Sequence, residues 1–425
     1  VKAPSLGIRI LLAVVLGAVV GGLLGKDALG GDAYALFGFV GKLFLQALSM
    51  LVVPLVFTSM VTGMAGIARE QDFARLGGMT LLYMLLTTSI AVIIAVALVN
   101  LIQPGQINGV PVKDLIGLPP ADSALAKIEG RSAGDFSDLF LQMFPANLIA
   151  AASAGQILGL IVFGLLYGFF AARLPEALAK PQLDFWQGAY ETLIAITQFV
   201  LRFAPIGVFA LVAKVAAETG LAAIEPIFWF FVSVLAGLLL HMLIILPTIA
   251  WFGAGVPPRK LFAHFSPALL MAFSTASSAA TLPVNLDCAE NRAGVTARIA
   301  RFVLPLGATV NMNGTALYEC SAVLFIAQAY GLELSLAQQV TVVVLSVMTA
   351  VGVAAIPAAS LVAIVLILGS LGLPPEALGL ILAVDRLLDM ARTTVNVFGD
   401  STGSLLINRQ AARRPVPVPP APSAT

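Results

Sequence analysis

Asp385, Arg386, Asp389, Arg392 and Asp400 stand within the seventeen-residue segment VDRLLDMARTTVNVFGD (384–400), beside strongly apolar sequence. At about 100° per residue, Asp385, Asp389, Arg392, Asn396 and Asp400 fall within an arc of roughly 80° on one helical face. Arg392 can hold a carboxylate through a bidentate fork, and Asp389 can accept from an ammonium. A zwitterion with an extra acid group needs both signs. The bland alternative is that Asp389 and Arg392, three residues apart, only neutralise each other. Arg386 lies about 100° off the shared face.

A second group is GATVNMNGTALYE (307–319), set in apolar sequence. Its paired asparagines and glycine let a helix unwind and free carbonyls that, with the Asp400 carboxylate, suit a hard cation such as Na⁺. Residues 307, 311, 315 and 319 share a face, which places Glu319 within reach of the same interior. Glu319 has two readings: a proton carrier whose burial favours the neutral form, or a structural group hydrogen-bonded to a neighbouring helix. A third group is the hydroxyl run Thr87, Thr88 and Ser89 in YMLLTTSIAV, which on spacing alone reads as side chains bonded to their own backbone.

The elements that must position these groups are membrane helices. The 425 residues are 59% hydrophobic and 11% charged with a net charge of +1, and the mean hydropathy is +0.99. A soluble domain carries about 25% charge. Apolar windows recur at Ile8–Leu24, Leu51–Val61, Leu81–Ile102, Gln156–Phe170, Phe228–Phe252, Val340–Leu373 and Leu378–Val384. Several reach the roughly 20 residues that a spanning helix needs, and they are too continuous for barrel strands. In that setting an ionisable group is a functional-site candidate.

Nothing in the charge pattern points to nucleic acid. Cys288 and Cys320 read as small buried side chains, and His241 and His264 have no metal-ligand spacing. No nucleophile and base pair or phosphate loop appears, so the chain reads as no enzyme and needs no cofactor beyond coupling ions. The chain opens on Val1, so a preceding initiator residue or short segment is expected, with no cleavable signal pattern.

Charge in alternate connections (Lys2 and Arg9, Arg69 and Arg75, Arg173 and Lys180, Arg259 and Lys260, then Arg409, Arg413 and Arg414) places both termini in the cytoplasm. The acidic loop Gln103–Asp138 lies opposite. The proline-rich end, 411–425, reads as a disordered tail. FSTASSAATLP, around Ser277–Pro283, and MTAVGVAAIPAAS, around Gly352–Pro357, read as tips of two re-entrant hairpins, each before a span that carries polar residues. Such a duplicated unit is the signature of an inverted-repeat secondary transporter. The alternative is that both are ordinary small-residue packing faces.

SSAATLPVNL, FVLPLGATVNMNGTALYE and LLDMARTTVNVFGD closely resemble the dicarboxylate/amino acid:cation symporter family, which includes excitatory amino acid transporters and archaeal aspartate transporters. VVPLVFTSMVTGMAGI and FAPIGVFALVA extend the resemblance over nearly the whole chain. It implies an all-α integral membrane protein of about eight transmembrane helices plus two re-entrant hairpins, with inverted repeats. It also implies a homotrimer in the inner (plasma) membrane, in contact with lipid, working as an elevator. The parts would be scaffold 1–77, span 3 and an extracellular loop 78–138, trimerisation scaffold 139–219, and transport domain 220–410.

On that resemblance, Arg392 would bind the side-chain carboxylate of glutamate or aspartate and Asp389 its amino group. Asn396, Thr393, Ser277 and Ser278 would take the α-carboxylate, with Thr315 near the side chain and Ala355 in the gate at the second hairpin. One cation site would use Asp400 with the carbonyls of Gly307, Asn311 and Asn396. A second would use carbonyls at Thr309, Ala350, Val351 and Val353 with the Met312 sulfur. A third would join Thr87, Thr88, Asn311 and Asn313. Sodium-coupled relatives read NMDGT where this chain reads NMNGT, so Asn313 weakens Na⁺ at the third site. Glu319 matches the proton-carrying glutamate of the eukaryotic members, so coupling through H⁺ enters beside Na⁺. The expected function is cation-coupled symport of glutamate or aspartate. A proton-coupled C4-dicarboxylate carrier is the alternative within the class, and an anion-conducting channel the one outside it.

Overall fold

The computed structural model describes residues 6–68, 76–116, 141, 143–153, 157–219, 224–352 and 359–413. Almost all of them are helical. The first helix, α1 (Leu6–Ala68), runs 63 residues, about 95 Å at 1.5 Å per residue. The apolar windows expected as two separate spans both lie on it. Between Leu24 and Leu51 there is no proline, and glycine alone costs a helix only about 1 kcal/mol, so the backbone carries through.

Then come α2 (Gly78–Ile102), a hairpin of Gln106–Ile107 with Val110–Pro111, and α3 (Val112–Ile116). Asn108 and Gly109 both take positive φ, 51° and 80°, as the turn between two such strands demands. This hairpin sits inside the segment read as a polar loop. Next are α4 (Leu148–Ser153), α5 (Ile157–Ala171), α6 (Glu176–Leu201) and α7 (Ala204–Thr219). Helix α1 packs along α7, α5 and α6. Gly21 lies close against α7, where a β-carbon would overlap the Ala213 carbonyl. Small residues are what allow such backbone contact between membrane helices.

Helix α8 (Ile224–Leu240) continues through π turns at His241–Ile245 and Ala250–Ala254. After it, α9 (Pro258–Thr275) and α10 (Ser278–Asp287) pack on each other across a two-residue reversal. Ala276 is left-handed at φ 49°, and the Ser277 hydroxyl accepts from the Ala280 N–H at 3.2 Å to cap α10. The reversal falls at Ala276 and Ser277, beside the first expected tip, and Pro283 lies inside α10. Helix α11 (Ala297–Val310) breaks at Asn311 and Met312, and α12 (Asn313–Ala329) follows. Helices α13 (Leu336–Gly352) and α14 (Ala359–Leu371) also pack together. The second tip, with Val353 and Ala355, lies outside the described residues, as do 117–140 and 414–425. Helix α15 (Leu382–Arg413) is the last element among the described residues.

Among the described residues, Gly78–Ile102 and Glu225–Ala254 are each long and apolar enough to cross a membrane. Helix α2 shows how. It buries Tyr83, Met84, Thr87, Thr88, Ala91, Val92 and Ala95 while Leu82, Leu85, Leu86 and Ile93 stand more than half exposed, an outward apolar face that suits lipid. Helix α12 is buried on every side from Asn313 to Ala327 and touches α2, α8, α13, α14 and α15. It is the axis around which the site is built.

Candidate functional site

Helices α12 and α15 run antiparallel and meet through a ladder of polar contacts. At the break, Asn311 Nδ2 donates to Asp400 Oδ1 at 2.8 Å. Gly307 lies so close that a β-carbon there would overlap that same oxygen. One turn along, Asn396 Oδ1 accepts from the Gly314 N–H at 2.7 Å and the Thr315 N–H at 3.4 Å. These are orphan donors of the first turn of α12, capped from another helix. The Asn396 amide donates to Thr315 Oγ1 at 3.0 Å and reaches the Met312 sulfur at 3.3 Å. Gly314 admits this approach, since a β-carbon would stand 2.5 Å from the Arg392 carbonyl oxygen.

The last rung is charged. Asp389 Oδ1 accepts from Arg392 Nε at 3.0 Å and Nη2 at 2.8 Å, and Arg392 Nη1 reaches Asp385 Oδ1 at 3.4 Å. The guanidinium lies over the Tyr318 ring, 4.4 Å from its centroid, and the Tyr318 hydroxyl donates to Asp385 at 2.8 Å. Asp385, Asp389 and Arg392 are all buried. Mutual neutralisation, the bland reading of Asp389 and Arg392, is therefore realised in the geometry. Arg386 also reaches in, its Nη1 lying 3.2 Å from Asp389 Oδ2. Its backbone is off the charged face, but the i,i+3 spacing and a long side chain bring the cation back.

The groups expected to hold cations are gathered unequally. The structure brings together Asp400, Gly307 and Asn311, with Asn396 one turn away. Asn311 Oδ1 is buried and has no partner among the described residues, which leaves an acceptor beside the Asp400 carboxylate. Of the second set, Met312 and Ala350 are buried. Thr309 is exposed and its hydroxyl turns back to the Leu306 carbonyl at 2.9 Å. Val351 is in the last turn of α13 with a side chain outside the described residues, as is all of Val353. In the third set Thr88 donates to Asn313 Oδ1 at 2.7 Å, whereas Thr87 bonds the Tyr83 carbonyl of its own helix at 2.9 Å.

Residues 307, 311, 315 and 319 do not form one continuous face, because Gly307 is on α11, Asn311 is at the break and Thr315 and Glu319 are on α12. Glu319 faces α13 instead. It is fully buried, Thr349 Oγ1 lies within hydrogen-bond distance of its Oε2 at 2.8 Å, and Oε1 has no partner among the described residues. Thr393 and Ser278 are buried and Ser277 caps α10.

Several participants were not singled out from the sequence. The Tyr83 hydroxyl donates to the Gly399 carbonyl at 2.8 Å, one residue before Asp400. Its ring rests on Gly403, where a β-carbon would stand 2.5 Å away. His241 Nε2 lies 3.3 Å from Asn313 Nδ2, although the residue reads as structural on spacing alone. Tyr318 is three residues from Thr315, an i,i+3 spacing that marks it for the same face. Tyr83 and His241 meet partners remote in the chain, and no local pattern announces them.

The profile of the sodium:dicarboxylate symporter family matches residues 6–410. The proton/glutamate-aspartate symporter of Escherichia coli K12 is 33% identical over 95% of this chain and 92% of its own length. The proton/sodium-glutamate symport protein of Bacillus caldotenax is 32% identical over 94% and 93%. Excitatory amino acid transporter 3 of Oryctolagus cuniculus is 33% identical over 94% and 84%.

Proposed function

The chain belongs to the sodium:dicarboxylate symporter family, and from that premise we propose that it is a secondary transporter coupling cation entry to uptake of L-glutamate or L-aspartate. The observation that carries the proposal is the ladder between α12 and α15. A cation-ligand pair (Asp400 with Asn311), an amide (Asn396) and a cation–anion pair (Arg392 with Asp389) lie on successive turns of one buried face. An acidic amino acid carries matching charges: Arg392 takes its side-chain carboxylate, Asp389 its ammonium, and Asn396, Thr393, Ser277 and Ser278 its α-carboxylate, with Thr315 beside the side chain. Asp400, the carbonyls of Gly307 and Asn311, and a further group of carbonyls near Thr309, Ala350, Val351 and Val353 receive the co-transported Na⁺. Ala355 belongs to the gate.

A count of hydrogens supports the proton as a coupling ion. Thr349 has a single hydroxyl proton, and its Oγ1 lies 2.7 Å from the Leu345 carbonyl and 2.8 Å from Glu319 Oε2. Both are acceptors if the carboxyl is ionised. A protonated Glu319 donates from Oε2 to Thr349, which then donates to Leu345, so that one hydroxyl proton is not asked to serve two acceptors. At the third cation site, the Asn313 amide offers Thr88 a neutral oxygen where a carboxylate would attract Na⁺ more strongly.

The wider reading follows the family. About eight spans and two re-entrant hairpins arranged as inverted repeats form a homotrimer in the inner (plasma) membrane, with both termini cytoplasmic. Spans within 1–77 and 139–219 form the scaffold, and 78–138 and 220–410 supply the moving transport unit of an elevator. Reconstitution into proteoliposomes tests the core of this. Saturable uptake of L-aspartate or L-glutamate that follows an imposed cation gradient supports it, and flux without trans-stimulation by internal substrate contradicts it.

A further inference from the structure

Asp389 presents two carboxylate oxygens, and an arginine meets each. Arg392 takes Oδ1 through two nitrogens, at 3.0 Å and 2.8 Å, and Arg386 takes Oδ2 through Nη1 at 3.2 Å. The two cations are held very differently. The Arg392 side chain is 2% exposed, lies on the Tyr318 ring and reaches Asp385 with its third nitrogen. The Arg386 side chain is 22% exposed and, among the described residues, pairs with Asp389 alone. A guanidinium held by one contact at the edge of a buried site can turn back to water at small cost, whereas Arg392 cannot leave without uncovering two buried carboxylates.

With Arg392 committed to Oδ1, an ammonium that approaches Asp389 finds its acceptor at Oδ2, where Arg386 already lies. The geometry points to Arg386 as an internal surrogate for the substrate's ammonium: it neutralises Asp389 until an amino acid displaces it, and it stays in place when the ligand is a dicarboxylate without an amine. This inference rests on the reading of Asp389 and Arg392 as the substrate site. It adds a ligand class and a specificity-determining residue to that reading. An amine-free C4 dicarboxylate would ordinarily be rejected because it leaves a buried carboxylate unpaired. Here Arg386 removes that objection, since the charges of Asp385 and Asp389 are balanced one for one by Arg386 and Arg392. The same contact makes Arg386 a competitor of every amino acid substrate.

The test is uptake of radiolabelled L-aspartate into proteoliposomes, with inhibition by unlabelled L-aspartate and by succinate, for the wild type, Arg386→Gln, Arg386→Ala and Arg386→Lys. Succinate inhibits the wild type. Either neutral variant binds L-aspartate about threefold or more tightly and succinate more weakly, so that the ratio of the two inhibition constants moves by about tenfold. Arg386→Lys keeps the ratio within about threefold of the wild type, because the positive charge remains. An unchanged ratio in both neutral variants, or a wild type that succinate does not inhibit, overturns the surrogate role and leaves amino acid transport standing. A wild type without saturable uptake of either L-aspartate or L-glutamate overturns both.

Discussion

Asn396 Oδ1 accepts the Gly314 N–H at 2.7 Å, so the side chain of one helix caps the first turn of another at the centre of the site. Asn396→Ala leaves two N–H groups of α12 without their acceptor. The expected loss is about 1–2 kcal/mol in stability together with a fall of at least about tenfold in uptake. Thermal unfolding in detergent and transport assays measure the two effects. Asn396→Asp keeps the acceptor and therefore recovers most of the stability; equal instability in both variants would count against the cap.

Asp400 packs directly on Gly307 of α11, where a β-carbon would overlap Asp400 Oδ1. Gly307→Ala is expected to push the carboxylate off Asn311 and to raise the Na⁺ concentration for half-maximal uptake by about tenfold, or about 1.4 kcal/mol. An unchanged Na⁺ dependence would remove Asp400 and Gly307 from the cation site.

Much of this ladder can be read in the sequence because α15 is an uninterrupted helix, so that Asp385, Asp389, Arg392, Asn396 and Asp400 keep their calculated face. The spacing fails where the backbone stops being regular. Asn311 and Met312 interrupt the helix, so Glu319 turns toward Thr349 rather than toward Asp400. Thr87 and Thr88 are neighbours with identical side chains, yet Thr87 bonds its own helix and Thr88 crosses to Asn313; only the packing of α2 on α12 decides which. Tyr83 and Gly399 are 316 residues apart, beyond any local pattern. The Asn108-Gly109 turn is different, since an Asn-Gly pair between two apolar residues is a strong hairpin signal hidden by the polar character of the loop around it.

Glu319→Gln preserves a hydrogen-bond donor toward Thr349 but cannot release a proton. Uptake driven by an acid-outside pH gradient in sodium-free buffer is expected to vanish in this variant, while counterflow of L-aspartate against internal L-aspartate persists. Loss of both would make Glu319 structural, and retention of pH-driven uptake would place the coupling proton elsewhere.

Asn313→Asp restores a carboxylate beside Thr88, 2.7 Å from the present amide oxygen. Na⁺ affinity is expected to rise by about tenfold, from the added charge at a site of hard oxygen ligands. Na⁺-dependent uptake at fixed pH reads this directly. A variant whose Na⁺ dependence matches the wild type would show that Thr88 and residue 313 do not hold the ion.

The central claim is cation-coupled transport of an acidic amino acid through the Asp389–Arg392 pair. It is tested most directly by uptake of L-aspartate and L-glutamate into proteoliposomes with Na⁺ and pH gradients imposed separately, for the wild type and Arg392→Ala. The account predicts saturable accumulation by the wild type under at least one gradient and loss of at least about 100-fold in Arg392→Ala, since removing one partner of a buried ion pair costs about 3–5 kcal/mol. Accumulation that neither gradient drives, or that Arg392→Ala leaves intact, would contradict it.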